Sequence, residues 1–94
     1  MFEMTTGEDG TVRLKGRLDA AQVERHTAEF EELASSCVLD FAELEYISSA
    51  GLGALFATHK RLMETGAGLT IVNLKPHIRE LFRIAGFDRI FAID

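Results

Sequence analysis

Residues 45–55, read EYISSAGLGAL, join an apolar run to a strongly periodic one. That junction constrains the fold more than any other part of the chain. After it, Leu52, Leu55, Phe56, His59, Leu62 and Met63 recur at helical spacing, and Gly66 lies just past the end. Before it, Cys37-Val38-Leu39-Asp40-Phe41 is apolar apart from one acid, the pattern of a central strand covered on both faces. A strand that ends at two hydroxyls, followed by an amphipathic helix, is a βα junction. One of Ser48 and Ser49 suits the helix cap, which contributes about 1 kcal/mol. The same place suits an anion, because a helix start presents unpaired N–H groups and partial positive charge. A capping serine and a phosphorylatable serine are therefore compatible readings.

The rest of the chain supplies the partners of this unit. Phe2 and Met4, then Val12 and Leu14, alternate with polar residues around Gly7-Glu8-Asp9-Gly10, which predicts a β-hairpin with one buried face. Gly16 ends it and Asp19 is a candidate cap. Over residues 20–35, Val23, Thr27, Phe30 and Leu33 or Ala34 form a helical stripe. Glu24, Arg25, Glu29, Glu31 and Glu32 fall largely elsewhere, on a solvated and mostly acidic face. Leu69-Thr70-Ile71-Val72 reads as a strand. Pro76 suits the first turn of a helix with Ile78, Leu81, Phe82 and Ala85 inward, and Gly86 ends it. Residues 90–93 form a last short strand or the start of a closing element. The order ββαβαβαβ predicts an α/β fold in one domain, residues 1–94. A mixed sheet packs with about three helices, on one face or both.

Charge and cysteine content narrow the function. A net charge of −5 without a basic stripe argues against direct nucleic-acid binding, which rests on Lys and Arg neutralising phosphates. The single cysteine, Cys37, cannot form an internal disulfide and reads as a buried core residue. No apolar run approaches the roughly 20 residues of a membrane span, and the first residues lack the plan of a signal peptide. A cytoplasmic location is expected.

No constellation points to catalysis. Gly51 and Gly53 suggest tight packing or room for a partner to approach the backbone. The other glycines and the lysine of a phosphate-binding loop are missing. His26, His59 and His77 lack a second ligand at metal spacing. Ser49, His59 and Asp40 or Asp19 make a triad only on paper, without the nucleophile-elbow motif. Glu43 and Glu45 read as a solvated loop. No catalytic residue, metal or cofactor is expected, and the chain is not read as an enzyme.

Tyr46-Ile47-Ser48-Ser49-Ala50-Gly51-Leu52-Gly53 resembles the signature of STAS domains, especially bacterial anti-sigma factor antagonists. Gly16-Arg17-Leu18-Asp19, Val38-Leu39-Asp40-Phe41, Asn73-Leu74-Lys75-Pro76 and Gly86-Phe87-Asp88-Arg89-Ile90-Phe91 resemble further family segments in the same order. The resemblance implies a partner switch. The unphosphorylated antagonist binds an anti-sigma factor that is also a serine kinase of the histidine-kinase-like ATPase type. Phosphorylation separates the complex, and a PP2C-type phosphatase restores it. Aligned on Gly51-Leu52-Gly53, the phosphoacceptor is Ser49, with Ser48 secondary where an Asp is common. Asp19, Ser48, Ser49, Ala50, Gly51 and Gly53 are the implied partner-binding residues. The family's terminal helix is expected to be absent or reduced. The other role the resemblance implies is a constitutive interaction subunit of a lipid-transport or sensory assembly, in which Ser49 is only a cap.

Overall fold

Asp9 shapes the first turn. Its carboxylate accepts the Thr11 N–H at 3.0 Å, and the Gly7 N–H donates to the Thr11 carbonyl at 2.8 Å. These bonds join β1 (Phe2–Thr6) to β2 (Val12–Leu18) as an antiparallel hairpin. In the computed structural model, which describes residues 1–94, the other strands are β3 (Cys37–Ile47), β4 (Leu69–Val72) and β5 (Ala92–Ile93). The sheet order is β1-β2-β3-β4-β5, parallel from β2 onward. The helices are α1 (Ala20–Arg25), α2 (Thr27–Glu31), α3 (Ser49–Met63) and α4 (Pro76–Ala85). A 3₁₀ turn spans Phe87–Arg89.

Helices cover one face of the sheet only. β2 buries Val12, Leu14, Gly16 and Leu18 and turns Arg13, Lys15 and Arg17 to solvent. β3 buries Leu39, Phe41, Leu44 and Ile47, and these join Phe30, Leu55, Leu62, Ile78 and Phe82 in one core. Each parallel crossover moves one strand along in the same direction, so the right-handed rule puts all the helices on one side. The expectation that β3 is covered on both faces is thus corrected: Val38 and Tyr46 are exposed. Arg17 lies 4.3 Å above the Tyr46 ring on the open face.

Several boundaries differ from the sequence reading. Gly16 does not end β2. It sits inside the strand at φ 96°, where a Cβ would come within 2.2 Å of the Met1 carbonyl oxygen, so only glycine fits there. Residues 43–45 are strand, not loop. Two register shifts against β2 each add a residue to β3, so its inward positions run 39, 41, 44, 47 instead of every second residue.

The helix expected over residues 20–35 breaks at His26. The His26 ring bonds the Gln22 carbonyl at 2.8 Å, and the Thr27 hydroxyl donates to the Val23 and Glu24 carbonyls. Side chains there compete for the backbone acceptors that hold a helix. At the C-terminus the strand shrinks to two residues, because 87–89 wind into the 3₁₀ turn that buries Phe91. In α4, Ile78 and Phe82 are buried while Leu81 and Ala85 are exposed. Cys37, expected in the core, is only half-buried, and that burial pushes its thiol pKa up. No helix is long and apolar enough to cross a membrane.

Candidate functional site

The βα junctions after β2 and β3 lie side by side. Leu18 and Ile47 are register partners at the ends of these parallel strands, so Asp19 and Ser48 follow on adjacent positions. Asp19 caps α1 by accepting the Gln22 N–H at 3.0 Å. Ser48 caps α3 by accepting the Gly51 N–H at 3.1 Å. Ser48 also ties the two junctions together. Its hydroxyl donates to the Leu18 carbonyl at 3.2 Å, and its N–H donates to the same carbonyl at 3.0 Å.

The two serines therefore hold different positions. Ser48 is half-buried and committed to the cap. Ser49 is the first helical residue and exposed, as is Ala50. Gly51 is buried. A Cβ on it would lie 2.7 Å from Ile47 Cγ1 and 2.8 Å from the Leu18 carbonyl oxygen. Its missing side chain lets the start of α3 settle against the strand ends, so Gly51 supports the site from beneath. Gly53 is exposed, and a Cβ there would meet nothing within 4 Å.

α3 is anchored independently of its cap. Leu55, Thr58, His59 and Leu62 are buried along its inner side. The His59 Nδ1 accepts the Leu69 N–H at 3.0 Å, which ties α3 to the start of β4 and places the ring proton on Nε2. Arg61 donates to the Phe30 and Leu33 carbonyls at 3.1 and 2.8 Å, closing the end of α2. The expected inner stripe loses two members: Phe56 is 40% and Met63 59% exposed. Both lie on the outer side with Ser49.

The paper triad is not assembled. His59 faces the core about 15 Å along the helix from Ser49, at 1.5 Å per residue. Asp40 accepts from the Ala42 N–H at 2.9 Å and the Asn73 side chain at 3.1 Å. His26 and His77 bond the Gln22 and Glu45 carbonyls. No three His, Cys, Asp or Glu side chains gather at metal-ligand distance. Glu45, read from sequence as loop, meets Lys75 at 2.8 Å. That hydrogen bond and charge hold its carboxyl below the usual range.

The first turn of α3 carries no acidic residue, so within the helix nothing opposes the partial positive charge presented beside Ser49. An exposed hydroxyl on a rigid helix start is open to modification, and the surface around it is open to a protein partner. Exposed Phe56 and Met63 are what periodicity misassigned in α3. Their i+7 and i+14 spacing from Ser49 was the available signal.

Known proteins resemble this chain in sequence and in fold. The chain is 38% identical over 84 residues to BtrV of Bordetella bronchiseptica, a protein named for anti-sigma factor antagonism, covering 85% of this chain and 72% of that one. It is 31% identical over 91 residues to the anti-sigma F factor antagonist of Lysinibacillus sphaericus, covering 90% and 77%. Its fold matches the phosphorylated form of the Bacillus cell fate determinant SpoIIAA with a TM-score of 0.71 at 20% identity, over 100% and 91% of the two chains. A family model described as "Mlab, STAS domain" matches residues 1–93. With nearly every residue inside that match, and the Ser48 junction built as described, the chain belongs to the STAS domain family.

Proposed function

We propose that this protein is an anti-sigma factor antagonist that works by partner switching. Unphosphorylated, it binds an anti-sigma factor that is also a serine kinase of the histidine-kinase-like ATPase type. Phosphorylation of Ser49 releases it, and a PP2C-type phosphatase returns it to the binding state. In this reading the domain acts by binding, performs no chemistry itself and works in the cytoplasm alongside those partners. The single observation that carries this reading is the division of labour at the junction: Ser48 is spent on the cap, which leaves Ser49 exposed at the first turn of α3.

The physics suits a switch. Phosphate adds about −1.5 to −2 charges. At a helix start that charge is tolerated or mildly favourable, and the buried side of α3 holds the helix in place. Within a closed interface, the same dianion must be desolvated, at a cost on the order of several kcal/mol. Since about 1.4 kcal/mol is tenfold in affinity, release follows without unfolding. The names of BtrV and of the Lysinibacillus sphaericus protein support the antagonist role.

The test is labelling by the cognate kinase and ATP. Ser49→Ala should abolish phosphate incorporation, while Ser48→Ala, with its cap weakened, should still be labelled. Undiminished labelling of Ser49→Ala would overturn the assignment. A protein never phosphorylated in its own cell would instead fit a constitutive interaction subunit, in which the Ser48 cap alone explains the serine pair.

A further inference from the structure

β1 is an outer strand of the sheet, and half of its backbone is unused. The Arg17 N–H donates to the Met1 carbonyl and the Gly7 N–H to the Thr11 carbonyl, each at 2.8 Å. Pairing alternates along an antiparallel ladder. The odd-numbered residues of β1 therefore bond to β2, while Phe2, Met4 and Thr6 turn their N–H and C=O groups outward. No other segment of the chain meets those groups. Such an edge pairs with a further strand unless lysine, proline or a bulge guards it. β1 has none of these. Its one charge, Glu3, alternates onto the open face of the sheet with its register partner Lys15.

A groove of about 500 Å³ adjoins this edge on the helical side of the sheet. Met4 of β1, Val12 of β2 and Cys37 of β3 line it from the sheet, and Leu33 lines it from the segment after α2. Met4, Leu33 and Cys37 are only partly buried against the core. Glu29 and Glu32 also line the groove, and no cation does. Glu32 has no ion-pair partner, and Glu29 approaches only the His26 ring, at 3.7 Å. Apolar walls beside two carboxylates are complementary to a long side chain with an aliphatic stem and a cationic head.

We propose that the edge of β1 and the groove beside it bind an extended segment of another protein with Lys or Arg at alternate positions. The segment adds a sixth strand through the outward backbone groups of Phe2, Met4 and Thr6. Its basic side chains on the helical side lay their stems over Met4 and Leu33 and bring their charges to Glu29 and Glu32. The site lies at the start of β2, and the Ser48 junction lies beyond its end. Six strand residues, from Val12 to Leu18, separate them by roughly 20 Å. This is a second docking surface, and it does not rest on the partner-switch reading of Ser49.

The probe is a blocked seven-residue peptide of alternating lysine and valine, titrated into the full chain. Binding should shift the amide signals of Phe2, Met4 and Thr6 and slow alkylation of Cys37, the only cysteine. Neither Glu29 nor Glu32 is buried, so the double variant Glu29→Gln, Glu32→Gln should keep the wild-type Tm. It should bind the peptide about fivefold more weakly. An alternating glutamate and valine peptide should not bind, and neither should the lysine peptide once its backbone nitrogens are methylated. Failure of wild type to bind at millimolar peptide would overturn the proposal. So would equal binding by the folded double variant, or by the methylated peptide, or an alkylation rate at Cys37 that the peptide leaves unchanged. If the chain alone sediments as a dimer that Met4→Pro dissociates, the edge belongs to a second copy and the proposal falls.

Discussion

The junctions after β2 and β3 are built alike and supported differently. Each has a polar cap that accepts an N–H three residues on, from Asp19 to Gln22 and from Ser48 to Gly51. Beyond the cap they diverge. α1 is six residues long and buries none of them, while α3 is fifteen residues long and buries five. Short helices are marginal without tertiary packing, so α1 depends on its cap and neighbours. α3 is held by its inner side and can accept a change at its first residue. The difference teaches where a charge switch can sit. It needs an exposed hydroxyl on a helix whose position does not depend on that hydroxyl, and only the second junction offers one.

The largest effect should come from removing the packing that distinguishes α3. Leu55 is fully buried, and Leu55→Ala should cost about 2–5 kcal/mol in denaturant unfolding. A much smaller loss would show that α3 is not anchored as described. Next comes the glycine beneath the site. Gly51→Ala forces a Cβ against Ile47 and the Leu18 carbonyl, a clash of the kind that costs about 1–3 kcal/mol. Gly53→Ala should instead stabilise by up to about 1 kcal/mol. Opposite signs two residues apart are the sharpest check on the geometry of the junction.

Loss of either cap should be smaller, about 1 kcal/mol in the usual case. The two cap losses should differ in kind. Asp19→Ala should speed amide exchange throughout α1, whereas Ser48→Ala should speed it only in the first turn of α3. Equal spreading along both helices would erase the comparison. The smallest effect concerns Glu45, whose exposed carboxyl is held below the usual range by Lys75. A depressed carboxyl contributes stability that is present above its unfolded pKa and lost as pH falls through the folded one. Glu45→Gln should therefore be slightly less stable than wild type at neutral pH. The gap should close as pH drops below the ordinary glutamate value of 4.5.

The junction itself was legible because its signals are local. A hydroxyl pair, a helical period and a following glycine all read along the chain. What escaped was set by contacts from elsewhere. The strand character of residues 43–45 was hidden because two bulges, paired against β2, replace alternation with inward residues at 41, 44 and 47. The break at His26 arises from its ring and from the Thr27 hydroxyl bonding back to the helix carbonyls. Those polar groups were invisible to an apolar-period argument. Phe56 fits the helical period as well as Leu55 does, yet the partner that holds it, Phe87, comes from the far end of the chain. Periodicity identifies a helix. It does not say how wide the covered stripe is. Which serine caps α3 was also open in sequence, and the Leu18 carbonyl, thirty residues away, decides it.

The central claim is that charge at Ser49 acts at the interface and leaves the fold intact. The direct measurement compares unmodified and Ser49-phosphorylated protein, made with the cognate kinase, by thermal unfolding and by titration against that kinase. The account predicts a Tm within a few degrees of the unmodified protein, together with at least a tenfold loss of affinity. A phosphorylated protein that unfolds well below the unmodified one, or that binds the kinase equally tightly, would contradict it.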